Sequence, residues 1–219
     1  MRRWYVMAES DALSRQFDDV AQLYDQVRPR YPEAIVEHII TFAGLPADAR
    51  IFEVGCGTGQ ITRPFAQRGY TVVAVDQGKQ LADLAAQHCR PYPRVRVVPC
   101  TLEAWQAAPE SYDVFLSAQA FHWIEPQYGL ARAAELLKTG GTIALVWTLG
   151  RSLGQATPGA VLDRCGGHTT QRAGGGRSCR DEREVDGHLL RGDVGEARQT
   201  QGWDSHGDHS VALMAHHPR

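Results

Sequence analysis

Arg50-Ile-Phe-Glu-Val-Gly-Cys-Gly-Thr-Gly59 is the stretch that decides the fold. Arg50 to Val54 is a short apolar run of strand type, and it runs straight into glycines at 55, 57 and 59. Bare backbone at alternate positions after a strand makes a tight turn that a ligand can approach closely. Downstream, a helix is predicted to about Arg68, ended by Gly69, with Pro64 kinking or delaying its first turns. Tyr70 to Val75 reads as a β-branched second strand ending on Asp76. Then come a helix over Gln80 to His88, a strand over Val95 to Val98 and a strand over Tyr112 to Ser117. A helix over Pro126 to Leu137 and a strand over Thr142 to Trp147 follow. Upstream, Tyr31 to Gly44 opens with Pro32 and closes on Gly, with Ile35, Val36, Ile39, Ile40 and Ala43 on one helical face. Strands alternating with helices mean right-handed βαβ units, and so an α/β fold with a doubly wound, mostly parallel sheet covered on both faces. Ligands of that architecture sit at the carboxyl ends of the strands.

Composition bounds what such a domain can do. The chain has 219 residues, 43% hydrophobic and 22% charged, enough for one α/β core. A net charge of -2 offers no basic field for a nucleic-acid backbone or an anionic membrane. Apolar runs such as Phe115 to Ala120 and Ile143 to Trp147 fall far short of the ~20 residues of a membrane span. The five cysteines include no CxxC pair, against a disulfide framework or a zinc clasp, and Met1-Arg-Arg-Trp-Tyr is not followed by the apolar stretch of a secretory signal. A cytoplasmic protein acting on a small molecule is expected, with no nucleic acid, membrane or metal as partner.

The chain changes character near residue 150. No Ile, Phe, Tyr or Lys occurs between Arg151 and Arg219, and that stretch holds 12 of the 22 glycines. It cannot bury enough apolar surface to offset roughly 1–2 kcal/mol of backbone entropy per ordered residue. The sequence therefore divides into a disordered N-terminus over 1–15, a domain over 16–148 and a low-complexity, disordered tail over 149–219. The tail composition is also that of a GC-rich gene read out of frame. Cys165-Gly-Gly-His168 and His206-Gly-Asp-His209 lie in it without a second set at ligand spacing, so no metal site is expected.

The ligand follows from the acids around the glycine loop. A dinucleotide fingerprint places its third Gly at position 60, where this chain has Gln60. Glu53 would repel a pyrophosphate and attract an ammonium or sulfonium group. Asp76, at the tip of the second strand, can accept the two hydroxyls of a ribose. A ribose and a positive charge without a pyrophosphate describe S-adenosylmethionine.

Glu53-Val-Gly-Cys-Gly-Thr-Gly59, Asp76, Leu102-Glu103 and Ser117 to Trp123 resemble the class I S-adenosylmethionine-dependent methyltransferases, most of all the type 11 domain and the branch similar to trans-aconitate methyltransferases. The resemblance covers about residues 16–148. It implies a Rossmann-like methyltransferase sheet of seven strands, of which the last two form a C-terminal hairpin. After Trp147 only Val185 to Leu190 and Val211 to Ala215 have strand character, so the normal C-terminal strands are expected to be lacking.

The resemblance also implies roles. Glu53, Gly55, Gly57 and Gly59 would hold the methionine end, with Cys56 a small packing residue inside that cofactor loop. Asp76 would hold the ribose and Gln77 would cover the adenine face. The Thr101 hydroxyl and the Leu102 backbone N–H would meet the adenine edge, and Ser117, Ala118 and Gln119 would line the pocket floor. The stretch Phe17 to Pro32 would form a helix and turn lying over the cofactor as a lid, in which Tyr24, Arg28 and Tyr31 close the site and Arg28 meets a carboxylate. The competing reading of that helix packs Val20, Leu23 and Val27 against the domain.

His122 is the candidate base, since its ordinary pKa is near neutral, and Trp123 the candidate substrate wall or sulfonium partner. The expected activity is methyl transfer to oxygen or nitrogen of a small molecule, carboxylates included. The alternatives are an inactive, truncated or frameshifted methyltransferase that at most binds the cofactor, and a nicotinamide-dependent oxidoreductase, disfavoured by Gln60 and Glu53.

Overall fold

The strand order is 3-2-1-4-5-7-6 in a single seven-stranded sheet. The computed structural model describes residues 20–28, 30–148, 197–198 and 209–216. Along the chain these form α1 (Ala21–Val27), α2 (Glu33–Ala43), β1 (Arg50–Val54), α3 (Thr62–Gln67), β2 (Thr71–Asp76), α4 (Lys79–Cys89) and β3 (Val95–Pro99). There follow β4 (Tyr112–Ala118), a single 3-10 turn (Phe121–Trp123), α5 (Pro126–Leu136), β5 (Leu137–Thr148), β6 (Ala197–Arg198) and β7 (His209–Ala215). β1 pairs in parallel with β2 and β4, β2 with β3, and β4 with β5. The order in which strands are added reverses between β1 and β4, and this switch point opens the crevice at the carboxyl end of β1.

Period-2 alternation sorts the strand residues onto two cores. Ile51, Val72, Ala74, Val114, Leu116, Ala144 and Val146 pack on one face with Ile35, Val36 and Ile39 of α2 and Phe65 of α3. Phe52, Val73, Val75, Phe115, Ile143 and Leu145 pack on the other with Trp105 and with Ala133 and Leu136 of α5. Strands buried on both faces are the mark of a parallel sheet. Gly44 ends α2 in the left-handed conformation at φ 56°, as the sequence predicts. α3 is delayed to Thr62, and Pro64 lies in its first turn, where its missing N–H costs nothing.

The expected loss of the C-terminal strands is corrected. β7 runs antiparallel to β5, with Val211 opposite Val146 and Leu213 opposite Ala144, and β6 adds two residues at the edge. Val211 and Leu213 join one core while Met214 joins the other, so the run alternates between faces as an inserted strand must. It seals the β5 edge that an absent hairpin would have left open. β5 is also longer than Thr142 to Trp147, because Leu137 already pairs with Tyr112 and Gly140 (φ 80°) carries the strand through an irregular register. The expectations for 1–15, the composition break after residue 150 and the Cys165–His168 cluster fall outside the described residues, as does most of the His206–His209 cluster.

Candidate active site

β1 delivers Glu53 to the crevice as a buried carboxylate, 1% exposed. The Thr62 hydroxyl donates to its Oε2 at 2.7 Å, and no cation pairs with it among the described residues. Burial, reinforced by the nearby Asp76 charge and only partly offset by Thr62, pushes its pKa up to about 8. The glycine loop beyond it bends through φ 71° at Gly55, 56° at Gly57 and 86° at Gly59. A Cβ at Gly55 would lie 2.2 Å from the Ala120 Cβ, so that position demands glycine, whereas at Gly57 a Cβ would only touch the Tyr24 ring at 3.6 Å and the left-handed φ is what favours glycine.

Asp76 locks this loop to the next helix. Gly57 N–H donates to its Oδ2 and Gly78 N–H to its Oδ1, each at 2.8 Å. A carboxylate oxygen can accept more than one hydrogen bond, so holding the backbone is compatible with serving a ligand hydroxyl.

α1 is turned so that its polar side faces inward. Val20, Leu23 and Val27 are 47%, 58% and 69% exposed, which overturns the packing of those three residues against the domain. Tyr24 and Arg28 face the glycine loop instead, with the Arg28 guanidinium 5.5 Å from the Tyr24 ring centroid. Tyr24, Arg28 and Tyr31 join Glu53, Gly55, Cys56, Gly57, Gln60, Ile61 and Ala118 around one pocket. Burial raises the pKa of both tyrosines against the opposing Arg28 charge, and burial raises the Cys56 thiol as well. Cys56 is thus an unreactive packing residue.

The other sequence-derived positions lie around this pocket rather than in its wall. Gly59 packs against Ala85 of α4, and Gln77 is exposed beside Asp76. Thr101 is exposed and its hydroxyl accepts the Ala104 N–H at 3.3 Å, while the Leu102 side chain enters the core. Ser117 turns its hydroxyl onto the Val54 carbonyl oxygen at 3.2 Å, leaving Ala118 to line the pocket. Gln119 holds the left-handed conformation at φ 58°, its N–H donating to Val146 and its Nε2 buried with no hydrogen-bond partner. His122 and Trp123 lie on the 3-10 turn with ring centroids 4.8 Å apart and planes tilted by 45°. Partial burial and then the Arg28 charge lower the His122 pKa, which places this ring within reach of the lid's field.

Thr62, Gln60 and Ile61 are site residues that pattern reading did not assign: Thr62 bonds Glu53, and Gln60 and Ile61 line the pocket. No group of acids, histidines and cysteines that could hold a metal occurs among the described residues.

Residues 52–145 match the methyltransferase domain family known as type 11. Those residues are a class I S-adenosylmethionine-dependent methyltransferase domain. An uncharacterized methyltransferase of Mycobacterium tuberculosis is 32% identical over 136 residues, 62% of this chain and 53% of that protein. The ubiquinone biosynthesis O-methyltransferase of Parvibaculum lavamentivorans is 32% identical over 108 residues, 48% of this chain and 42% of that one. The crystal structure of an S-adenosylmethionine-dependent methyltransferase from Aquifex aeolicus shares the fold at a TM-score of 0.54 and 15% identity, over 82% of this chain and 88% of that chain. The chain spans about half the length of the curated relatives it matches. S-adenosylmethionine is the cofactor of the methyltransferase domain, and the pocket suits it: a buried acid without a cation, a backbone cradle free of Cβ atoms and an acid at the tip of β2.

Proposed function

We propose that this chain transfers a methyl group to an oxygen or nitrogen of a small, carboxylate-bearing molecule, in the manner of the branch similar to trans-aconitate methyltransferases. The observation that carries the reading is the single pocket in which Glu53 and the glycine loop meet Tyr24, Arg28 and Tyr31. S-adenosylmethionine supplies an electrophilic methyl on a sulfonium. Glu53 holds the ammonium of its amino-acid end, Asp76 its ribose, and Tyr24 and Tyr31 exclude water above them. Gln77, Thr101 and the Leu102 N–H border the adenine. Arg28 attracts the acceptor carboxylate, Trp123 walls the acceptor side, and neutral His122 takes the acceptor proton. In-line transfer gains most from proximity and orientation, and a positioned base adds a further factor.

The P. lavamentivorans relative is named for O-methylation, which supports oxygen as the first acceptor atom to test. No helix among the described residues is long and apolar enough to cross a membrane, and Cys56, Cys89 and Cys100 are free thiols, which supports a reaction in the cytoplasm. An inactive remnant is not favoured, since β7 closes the sheet beside the pocket-bearing strands. The test is calorimetric titration of the full chain with S-adenosylhomocysteine, followed by mass-spectrometric screening of hydroxy and carboxylic acids with S-adenosylmethionine. Micromolar binding and a product heavier by one methylene support the reading. Binding without any methylated product would reinstate the inactive form, and a folded chain that does not bind would end the assignment.

A further inference from the structure

Gln60 holds the place of a third fingerprint glycine, and its side chain is fixed by a relay that begins on the lid. Asp25 follows Tyr24 on α1, and its Oδ1 accepts the Thr58 hydroxyl at 2.6 Å. That hydroxyl oxygen in turn accepts Gln60 Nε2 at 2.6 Å. Thr58 is fully buried, and its carbonyl oxygen lies 2.9 Å from His88 Nδ1 on α4, which anchors the loop from the other side. Gln60 is itself buried, and it lines the pocket with Glu53, Gly57 and Tyr24. A Cβ on Gly57 would meet Gln60 Oε1 at 3.4 Å and Tyr24 Oη at 3.9 Å, so both oxygens border the bare side of that glycine.

The direction of the relay follows from counting hydrogens. A hydroxyl has one, and a carboxylate only accepts. Thr58 gives its hydrogen to Asp25, so toward Gln60 it can only accept. The carboxamide must meet it with its N–H₂, which turns the carbonyl oxygen toward Gly57 and the pocket. The pocket thus presents a neutral acceptor as well as the Glu53 carboxylate, and both suit a group that only donates. An ammonium carries three N–H donors and no acceptor.

We propose that Gln60 Oε1 is a second acceptor, beside Glu53, for the ammonium of the cofactor, and that Asp25 of the lid sets its orientation through Thr58. The proposal rests on the reading of that pocket as the cofactor site. Gln60 is the binding residue, whereas Asp25 and Thr58 act through it and are positioning residues. With Asp25 in place the Thr58 hydrogen is committed, and the carboxamide has one favourable orientation. Without Asp25 that hydrogen can turn to Gln60 Oε1, the carboxamide turns over, and an N–H₂ faces the ammonium. The lid therefore sets the polarity of the pocket as well as covering it.

Two probes that differ in one group test this by calorimetric titration of the full chain at one pH: S-adenosylhomocysteine, and its deamino analogue with hydrogen in place of the amino group. The native chain is expected to bind both, the deamino compound more weakly. Gln60→Met keeps the length of the side chain without its acceptor. It is expected to weaken S-adenosylhomocysteine about tenfold, the scale of one hydrogen bond to a charged group, with the deamino compound unchanged. Asp25→Ala is expected to weaken the same ligand selectively, and Asp25→Asn, whose amide oxygen still accepts the Thr58 hydrogen, to restore most of the loss. In Gln60→Met, adding Asp25→Ala changes the ratio of the two affinities no further, because the relay then has no end. A merely structural role would move both ligands together. Equal losses for both ligands in Asp25→Ala, or the native ratio kept in Gln60→Met, overturn the proposal and leave the cofactor reading standing. A folded native chain that binds neither compound sinks the cofactor reading and the proposal with it.

Discussion

Thr62 donates its hydroxyl to Glu53 at 2.7 Å in a part of the core closed to water, and this single bond is the counterweight to the burial of a carboxylate. Because the folded pKa of Glu53 is about 8, against an ordinary 4.5, the native state holds a proton that the unfolded chain has lost. The associated stability is fully present below pH 4.5 and is lost as pH rises through 8. Denaturant unfolding followed from pH 5 to pH 9 is expected to show this decline, and Glu53→Gln to flatten it. A decline of equal slope in Glu53→Gln would mean that another group is responsible.

A cationic ligand reverses the sign of that linkage. An ammonium beside Glu53 favours the carboxylate, so cofactor binding expels the proton and the affinity for S-adenosylhomocysteine rises from pH 6 toward pH 8. Calorimetry from pH 6 to pH 8 reads this with Glu53→Gln as the control, and proton release is read by repeating it in buffers of different ionisation enthalpy. Affinity of the native chain independent of pH would argue against an ammonium at Glu53.

Gly55→Ala is expected to cost on the order of 3 kcal/mol, from left-handed strain and from the clash with Ala120 together. Thermal unfolding checks it. Gly69→Ala is the comparison: it has a similar φ of 84° and nothing within 4 Å, so it bears the strain without the clash and loses less.

Asp76→Asn places an amide N–H₂ opposite one of two backbone N–H donors. The loss is about 1–3 kcal/mol, or several degrees in Tm, together with at least a tenfold weaker affinity for S-adenosylhomocysteine. A residue that served the ribose alone would lose the affinity and keep the Tm.

The lowered pKa of His122 leaves its imidazole neutral, and so able to accept a proton, through the neutral range. The rate of methyl transfer is expected to rise with pH along a limb centred below 6.5 and then level off. Arg28→Leu moves the limb toward higher pH by removing one of the two influences that lower it. His122→Ala reduces kcat by about a hundredfold. A rate insensitive to His122→Ala would leave transfer to proximity alone.

Much of this arrangement is legible in one dimension. β1 to β5 are apolar runs punctuated by glycine and proline, and a turn of alternating glycines after β1 announces the crevice. Glu53, Gly55, Gly57, Tyr24, Arg28 and Tyr31 could be named because their residue types are informative where they stand, and they converge on one pocket. Val211 to Ala215 could be seen as strand-like, but its pairing with β5 is a distant contact for which local sequence carries no signal. The same reason hides His88 opposite Thr58. Ser117 shows a different limit: the position is legible, whereas the rotamer that turns its hydroxyl toward Val54 is set by packing. α1 misleads by its spacing, since Val20, Leu23 and Val27 make a regular stripe that the fold leaves outward.

That outward stripe bears on how the enzyme completes a cycle. A helix that buries an apolar face detaches only by rehydrating it, whereas α1 surrenders a few polar bonds that water replaces at once. On the proposed activity, spent cofactor would depart by a local opening that leaves both cores untouched.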